Sequence, residues 1–231
     1  MTSRGPHLWL CVAAWVSSIG AQGRVSPPAV LPAQATAALD ASLSAALSHA
    51  HHLWRDRVPL NGDGTVNAYI EISRGDRRRW EFDMGEHRRV IDRTIPEEVG
   101  GYPVNYGFVP QTVSYDGDPL DALVLGPPLD GGTMVPGVIV GLMMMEDEKG
   151  LDSKVILSRV EQDGRPLDQL TPAIQQEIGD YFRRYKLHEA GAFSKVPGWG
   201  RPADGRAFTE VTHAFFRKCR QQSGQSCRIE P

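Results

Sequence analysis

The sequence lacks three features that would each assign a chain to a broad class. It has no basic excess, because 25 Lys and Arg stand against 28 Asp and Glu, giving a net charge of −3. That balance offers no electrostatic basis for non-specific nucleic-acid binding. No internal repeat is visible, and no apolar run reaches the roughly 20 residues that a membrane-spanning helix requires. Partners must therefore be inferred from local sites.

The run that comes nearest to a membrane segment is at the start of the chain. Leu8 to Ile19 is apolar, Arg4 and His7 precede it, and small residues follow it. This order is typical of a cleaved export signal, so residues 1–23 are predicted to be a signal peptide, with an uncleaved anchor as the alternative. We expect a periplasmic or secreted protein without stable membrane insertion after cleavage.

Cysteine is scarce, with three in the chain. Cys11 would leave with the signal, so Cys219 and Cys227 would remain as an even pair in an oxidising compartment. A disulfide between them is predicted, and two unpaired thiols near the C-terminus are the alternative.

The composition, 41% apolar and 23% charged over 231 residues, is typical of one globular domain with an extension. A linker with three prolines is predicted from Arg24 to Ala33. Leu39, Leu43 and Leu47 recur every four positions and predict a short helix over residues 35–50. The predicted divisions are 24–50 for linker and helix, 51–222 for the catalytic domain, and 223–231 for a tail.

From Val66 to Leu157, short runs rich in Val, Ile, Tyr and Phe alternate with Gly, Pro and Asp. The predicted strands are Val66 to Ile72, Arg79 to Phe82, Arg88 to Asp92, Tyr106 to Val109, Ala122 to Leu125, Met134 to Met145 and Lys154 to Val160. Many short strands without intervening helices predict a barrel rather than a βαβ sheet. The expected fold class is α+β and β-rich, a small five-stranded OB-like antiparallel barrel with C-terminal helices packed against it.

The last third returns to helical periodicity. Thr171 is a good N-cap with Pro172 at the first helical position, and a second helix can begin at Asp204. The glycine and proline cluster from Val196 to Pro202 is predicted to be the loop between the two helices.

One turn concentrates carboxylates: Asp116-Gly-Asp118-Pro-Leu-Asp121. Aspartates this close repel one another unless cations offset their charge, which indicates a Mg²⁺-type site. A solvated surface turn is the alternative, because Asp and Gly are ordinary turn residues. An EF-hand is excluded because the twelfth position is Pro127 rather than glutamate.

A second acidic turn contains Asp147, Glu148 and Asp152, followed by Lys154. Alone it is more typical of a solvated hairpin turn than of a metal site. If both turns face one mouth of the barrel, their carboxylates would form a multi-metal site. Cationic and phenolic donors that could neutralise phosphate are Arg79, Arg93, Lys154, Lys186, Tyr106 and Tyr185.

A family resemblance is carried first by Tyr102-Pro-Val-Asn-Tyr106-Gly-Phe and by the turn Asp116 to Asp121. Together they resemble the signature of the family I soluble inorganic pyrophosphatases. Motifs that follow in that family's order are Ala68-Tyr-Ile-Glu71-Ile, Trp80-Glu81-Phe-Asp, Asp92-Arg93, Asp147-Glu148 to Lys154, Tyr185-Lys186 and Lys195-Val-Pro-Gly-Trp199. The resemblance covers about residues 53 to 200.

The resemblance implies Mg²⁺-dependent hydrolysis of pyrophosphate to two orthophosphates, by in-line attack of a water or hydroxide that bridges metals. Several Mg²⁺ ions per site are implied, with Mn²⁺ or Zn²⁺ as possible substitutes. The implied metal-binding residues are Asp116, Asp121, Asp147, Asp152 and, through bound water, Glu81. Asp118 is the implied general base, with Tyr106 and Arg93 also catalytic. The implied substrate-binding residues are Arg79, Arg93, Tyr106, Lys154, Tyr185 and Lys186, and the supporting residues are Glu71, Tyr102, Asn105 and Glu148.

Two departures qualify the resemblance. Arg79 stands where the family usually has lysine, and a guanidinium fork does not replace a compact ammonium. A homo-oligomer is implied, but Asp180 and Arg184 stand where hexameric bacterial relatives often have histidines in subunit contacts. An OB-type binding module for oligonucleotides or saccharides and a broader metal-dependent phosphohydrolase remain the alternatives.

Overall fold

A computed structural model describes residues 27–28 and 31–221 of the chain. The predicted signal peptide and tail lie outside the described residues, as does Cys227. Cys219 is buried and disulfide-bonded, but its pairing with Cys227 stays a prediction. Within the described part, no helix has the length and apolar character needed to cross a bilayer.

The elements follow in chain order. The helices are α1 (Ala33–Leu47), α2 (Leu53–Asp56), α3 (Pro172–Arg184) and α4 (Pro202–Gln221). The strands are β1 (Val66–Ile72), β2 (Arg78–Asp83), β3 (Arg88–Thr94), β4 (Asn105–Phe108), β5 (Asp121–Val124), β6 (Met134–Asp147), β7 (Gly150–Leu151), β8 (Lys154–Ser158) and β9 (Ser194–Gly200). The predicted strands therefore all form, with bounds that differ by two residues or fewer.

Five strands close into a ring of pairings, β1 with β4, β4 with β5, β5 with β8, β8 with β6, and β6 with β1. This arrangement agrees with the predicted barrel, except that β5 and β8 run parallel. The chain must return along β6 before β8 begins, so β8 runs in the same direction as β5. The hairpin of β2 and β3 forms a separate two-stranded sheet.

Alternate residues of the barrel strands divide between two buried clusters, as the two-residue period of a strand requires. On β6, Leu142 lies in the cluster that contains Phe208 of α4. Its neighbour Met143 lies in the cluster that contains Phe182 of α3. Strands β5 and β8 alternate in the same way, so both of their faces are covered and their ends are held firmly.

The helix predictions are confirmed in position. The Thr171 hydroxyl accepts a hydrogen bond from the Ile174 amide at 3.3 Å, as an N-cap should. Helix α4 begins two residues before Asp204, whose carboxylate instead accepts from the Arg201 amide at 2.7 Å.

The predicted loop from Val196 to Pro202 is wrong, because residues 194–200 form β9, which pairs with β6. Pro197 is tolerated since it falls at the register shift of this ladder, where no hydrogen bond is required of it. The glycines are needed for close approach: a Cβ on Gly198 would lie 2.8 Å from the Met144 methyl carbon. Proline and glycine, which are typical of turns, therefore form part of an irregular strand in this segment.

Helix α1 forms close to its predicted bounds and packs on the barrel. Leu39 is buried and Leu43 is partly buried, whereas Leu47 is 56% exposed. Part of the predicted linker also packs, because Leu31 is buried and the Tyr115 hydroxyl donates a hydrogen bond to the Pro28 carbonyl.

Candidate active site

A cleft with a volume of about 530 Å³ opens where both acidic turns, the β2–β3 hairpin and the segment after α3 meet. Its carboxylates are Glu71, Glu81, Asp92, Asp116, Asp118, Asp121, Asp147, Glu148, Asp152 and Glu189. Its cations are Arg79, Arg93, Lys149 and Lys186. Because carboxylates outnumber cations, this cleft cannot hold a polyanion unless further positive charge enters with it.

The first acidic turn is shaped by its own backbone. Gly117 has a φ of 94°, a conformation that favours glycine. The Asp116 carboxylate accepts a hydrogen bond from the Asp118 amide at 3.1 Å, and the Asp118 carbonyl accepts from the Ser114 amide at 2.7 Å. The Asp118 side chain is left 55% exposed at the cleft mouth, 3.5 Å from the Lys149 ammonium. Asp118 is thus placed to contact a molecule in the cleft.

Lys154 joins the two acidic turns from beneath the cleft. Its Nζ lies 2.5 Å from Asp121 Oδ2 and 2.8 Å from Asp152 Oδ1, and its side chain is 1% exposed. Burial alone would lower the Lys154 pKa, but the charges of these two carboxylates raise it well above its ordinary value. Lys154 is therefore a fixed positive charge beneath the carboxylates that could bind metal ions.

Two carboxylates of the acidic turns, Asp116 and Asp152, have raised pKa values, because their charged forms are disfavoured. Burial raises the pKa of Asp116 well above its ordinary value, and the negative charges of Asp152, Asp118 and Asp121 raise it further. Burial likewise raises the pKa of Asp152 to about 7; Lys154 lowers it, while Asp121 and Asp147 raise it. Such a group of hard oxygen donors is stabilised in its charged form by divalent cations.

The donor set fits Mg²⁺ in chemistry, although within residues 31–221 no three of these groups already converge on one point. The reason is visible in their ion pairs. Lys154 draws Asp121 and Asp152 inward, while Lys186 lies 2.6 Å from Asp147 and 2.9 Å from Glu148. The carboxylates must therefore turn from these ammonium groups to share a cation.

The β2–β3 hairpin supplies two guanidinium groups to the opposite wall. Arg79 lies 2.6 Å from Glu81 and 3.4 Å from Asp92. Arg93 lies 3.0 Å from Asp92 and 2.6 Å from Glu189. Both forks now face carboxylates, which occupy the positions that phosphate oxygens could take, and the Arg93 Nη2 contact with Glu189 lacks hydrogen-bond geometry.

The tyrosines and the supporting residues form the floor. Tyr106 and Tyr185 line the cleft, while Tyr102 lies behind them, where burial raises its pKa to about 12. The Asn105 amide donates to the Val124 and Pro127 carbonyls at 3.1 and 2.9 Å and accepts from the Arg74 and Leu129 amides. Glu71 is buried, accepts from the Phe82 amide at 2.6 Å, and has a pKa raised mainly by burial.

The structure therefore gathers the predicted site residues around one cleft. Lys154, Tyr102 and Asn105 lie behind its wall rather than in it. Four polar residues of the lining were not predicted as site residues: Ser42, Asp92, Lys149 and Glu189. Asp92 directly precedes Arg93. Lys149 belongs to the second acidic turn and Glu189 follows Lys186 by three positions, so proximity could have indicated both. Ser42 belongs to α1, and no sequence signal connects it to the site.

Comparison with known proteins agrees with this geometry. Residues 68–217 match the sequence family described as inorganic pyrophosphatase. The chain is 42% identical over 161 residues to the inorganic pyrophosphatase of Thermus thermophilus, covering 66% of this chain and 89% of the relative. The corresponding protein of Saccharolobus solfataricus is 37% identical over 160 residues, which is 66% of this chain and 91% of that one. A solved inorganic pyrophosphatase from Coxiella burnetii superposes with a TM-score of 0.64 at 34% identity, covering 69% of this chain and 99% of its own.

Proposed function

The chain belongs to the inorganic pyrophosphatase family, and we propose that its acidic cleft hydrolyses pyrophosphate to two orthophosphates with Mg²⁺ as the cofactor. The observation that carries the proposal is the meeting of two acidic turns with arginine, lysine and tyrosine donors in one cleft. Carboxylates in such excess need divalent cations, and the cations in turn need an anionic substrate. Pyrophosphate supplies that anion.

The proposed cation-binding residues are the hard oxygen donors of the two turns, with Glu81 acting through bound water. They are Asp116, Asp121, Asp147 and Asp152. When bound, Mg²⁺ would neutralise phosphate oxygens and lower the pKa of a water molecule toward neutrality. Lys154 lies beneath the turns, 2.5 Å from Asp121 and 2.8 Å from Asp152, and its ammonium offsets part of their negative charge.

The chain's own groups would perform the remaining steps. Asp118 is exposed at the mouth and would accept or orient the proton of the attacking water. Arg79 and Arg93 would exchange their carboxylate partners for phosphate oxygens, and Lys186 would do the same from the other wall. Tyr106 and Tyr185 would donate hydrogen bonds to the phosphates, because raised pKa values keep their hydroxyl protons in place.

Export and assembly are part of the proposal. The sequence pattern of residues 1–23 supports secretion or a periplasmic location, which N-terminal sequencing of the mature protein would test. The resemblance supports a homo-oligomer, which light scattering would test.

The decisive experiment measures phosphate release from pyrophosphate, ATP and a simple phosphomonoester, each with Mg²⁺ and with chelator. We expect pyrophosphate to be hydrolysed much faster than the other two and only when Mg²⁺ is present. Equal rates on the three substrates would indicate a broader phosphohydrolase. Undiminished hydrolysis in chelator would refute the metal dependence.

A further inference from the structure

Helix α1 lies outside residues 68–217, which match the family, yet it reaches the active cleft. Ser42 on its third turn lines the cleft with the acidic turns and the β2–β3 hairpin. The helix is therefore an added wall of the site.

The closest approach is between α1 and the first acidic turn. A Cβ on Gly117 would lie 2.6 Å from the Ala35 carbonyl oxygen and 2.6 Å from the Ala38 methyl group. Gly117 stands between Asp116, a proposed metal ligand, and Asp118, the proposed base. Backbone packed this tightly cannot move toward the helix, so α1 limits the positions that the turn can take.

The same helix contacts the other parts of the site. The Gln34 amide donates to the Lys149 carbonyl of the second acidic turn at 3.4 Å. Just beyond its C-terminus, the His49 Nε2 lies 2.7 Å from the Gly85 carbonyl of the β2–β3 hairpin. The helix and the residues just after it thus touch both acidic turns and the β2–β3 hairpin, which are three of the four segments around the cleft.

The helix is itself held rigidly enough to act as a support. Ala35 and Leu39 are fully buried in the barrel cluster. The Arg55 guanidinium donates to the Ala46 carbonyl in the last turn of α1 and to the His49 and Ala50 carbonyls just beyond it, at 2.7 to 3.1 Å. The helix is therefore anchored at both its face and its end.

We propose that α1 is a positioning element for the active site, in which Ala35 and Ala38 hold the Asp116–Asp118 turn in the conformation that binds metal. This inference rests on the proposed function for its chemistry. Ala38 acts through Gly117 and does not touch the substrate, so its effect belongs to metal binding and turnover rather than to substrate affinity.

The test compares two leucine substitutions on adjacent residues of the full chain. Ala38→Leu pushes against Gly117, while Ala37→Leu adds the same bulk on the exposed side of α1. Isothermal titration calorimetry with Mg²⁺ alone should show binding weakened about tenfold or more in Ala38→Leu. Ala37→Leu should stay within about twofold of wild type. In Ala38→Leu the kcat on pyrophosphate should fall with KM little changed.

Equal Mg²⁺ affinities in the two leucine variants would overturn the proposal. If Ala38→Leu does not fold, Ala38→Gly and Ala37→Gly decide the matter, because both carry the same helix-propensity cost and only the first removes a contact with Gly117. Weaker Mg²⁺ binding in Ala38→Gly supports the proposal, and equal binding refutes it. Calorimetry needs no substrate, so a wild-type protein that binds Mg²⁺ but does not hydrolyse pyrophosphate would refute the proposed function alone.

Discussion

Lys154→Met would remove a positive charge from beneath two acidic turns while keeping a side chain of similar length. In the native protein the ammonium lies 2.5 Å from Asp121 and 2.8 Å from Asp152 and is 1% exposed. Without it, Asp121 and Asp152, whose side chains are 19% and 10% exposed, lose the positive charge that both contact. The pKa of Asp152, already raised to about 7, should rise further because Lys154 now lowers it.

The expected loss of unfolding free energy in chelator is about 3 to 5 kcal/mol, the usual cost of leaving one partner of a buried pair uncompensated. For a chain of this size each kcal/mol shifts the melting temperature by about 2 to 4 °C, so a fall of about 6 to 20 °C is expected. Mg²⁺ should narrow the difference in melting temperature between Lys154→Met and wild type, since cations bound by these carboxylates restore positive charge.

Differential scanning calorimetry in EDTA and in Mg²⁺ measures both effects. The matched control is Lys149→Met, because Lys149 is 57% exposed and 3.5 Å from Asp118, so its removal should cost less than about 1 kcal/mol. A Lys154→Met variant that melts within about 4 °C of wild type in EDTA would refute the reasoning. If the difference in melting temperature between variant and wild type widens in Mg²⁺, the assignment of Asp121 and Asp152 as metal ligands is contradicted.

Four further predictions concern separate parts of the site and fold. Asp118→Asn should keep the wild-type melting temperature, because the side chain is 55% exposed, and lose about 100-fold or more in kcat; a wild-type rate would remove Asp118 from the base role. Arg79→Lys should raise KM for pyrophosphate about tenfold through loss of one charge-assisted hydrogen bond, which steady-state kinetics would detect or exclude. In chelator, unfolding free energy measured with urea should fall as pH rises from about 4 to about 7. In that range the folded state retains a proton on Asp152, whose pKa is about 7, whereas the unfolded state has already released this proton. A flat profile of unfolding free energy against pH would therefore contradict the raised pKa. Gly107→Ala should destabilise the barrel by about 3 kcal/mol in urea, because its Cβ would lie 1.7 Å from the Tyr69 carbonyl oxygen, and neutral behaviour would refute that contact.

Local patterns in the sequence were sufficient for most elements of the fold. Strand β1 has the predicted bounds, and the cap at Thr171 forms as expected, because alternation and capping depend on residues a few positions apart. The pattern at residues 194–200 misled because glycine and proline are typical of loops, and only the pairing with β6 makes this segment a strand. Likewise, turn composition at Asp116 to Asp121 could not by itself distinguish a metal site from a solvated turn.

Short-range patterns were enough to predict seven of the nine strands in the described part of the chain, the approximate starts of α1, α3 and α4, and the order of the acidic and cationic motifs. The place of Lys154 beneath the cleft depends on long-range folding, because its contact with Asp121 spans 33 positions of the chain. Only the tertiary structure decided that α1, an alanine-rich helix outside the family match, packs against Gly117 and brings Ser42 into the cleft wall. The physical reason is the same in both cases: burial and charge depend on which distant segments meet when the barrel closes, and no local pattern records that.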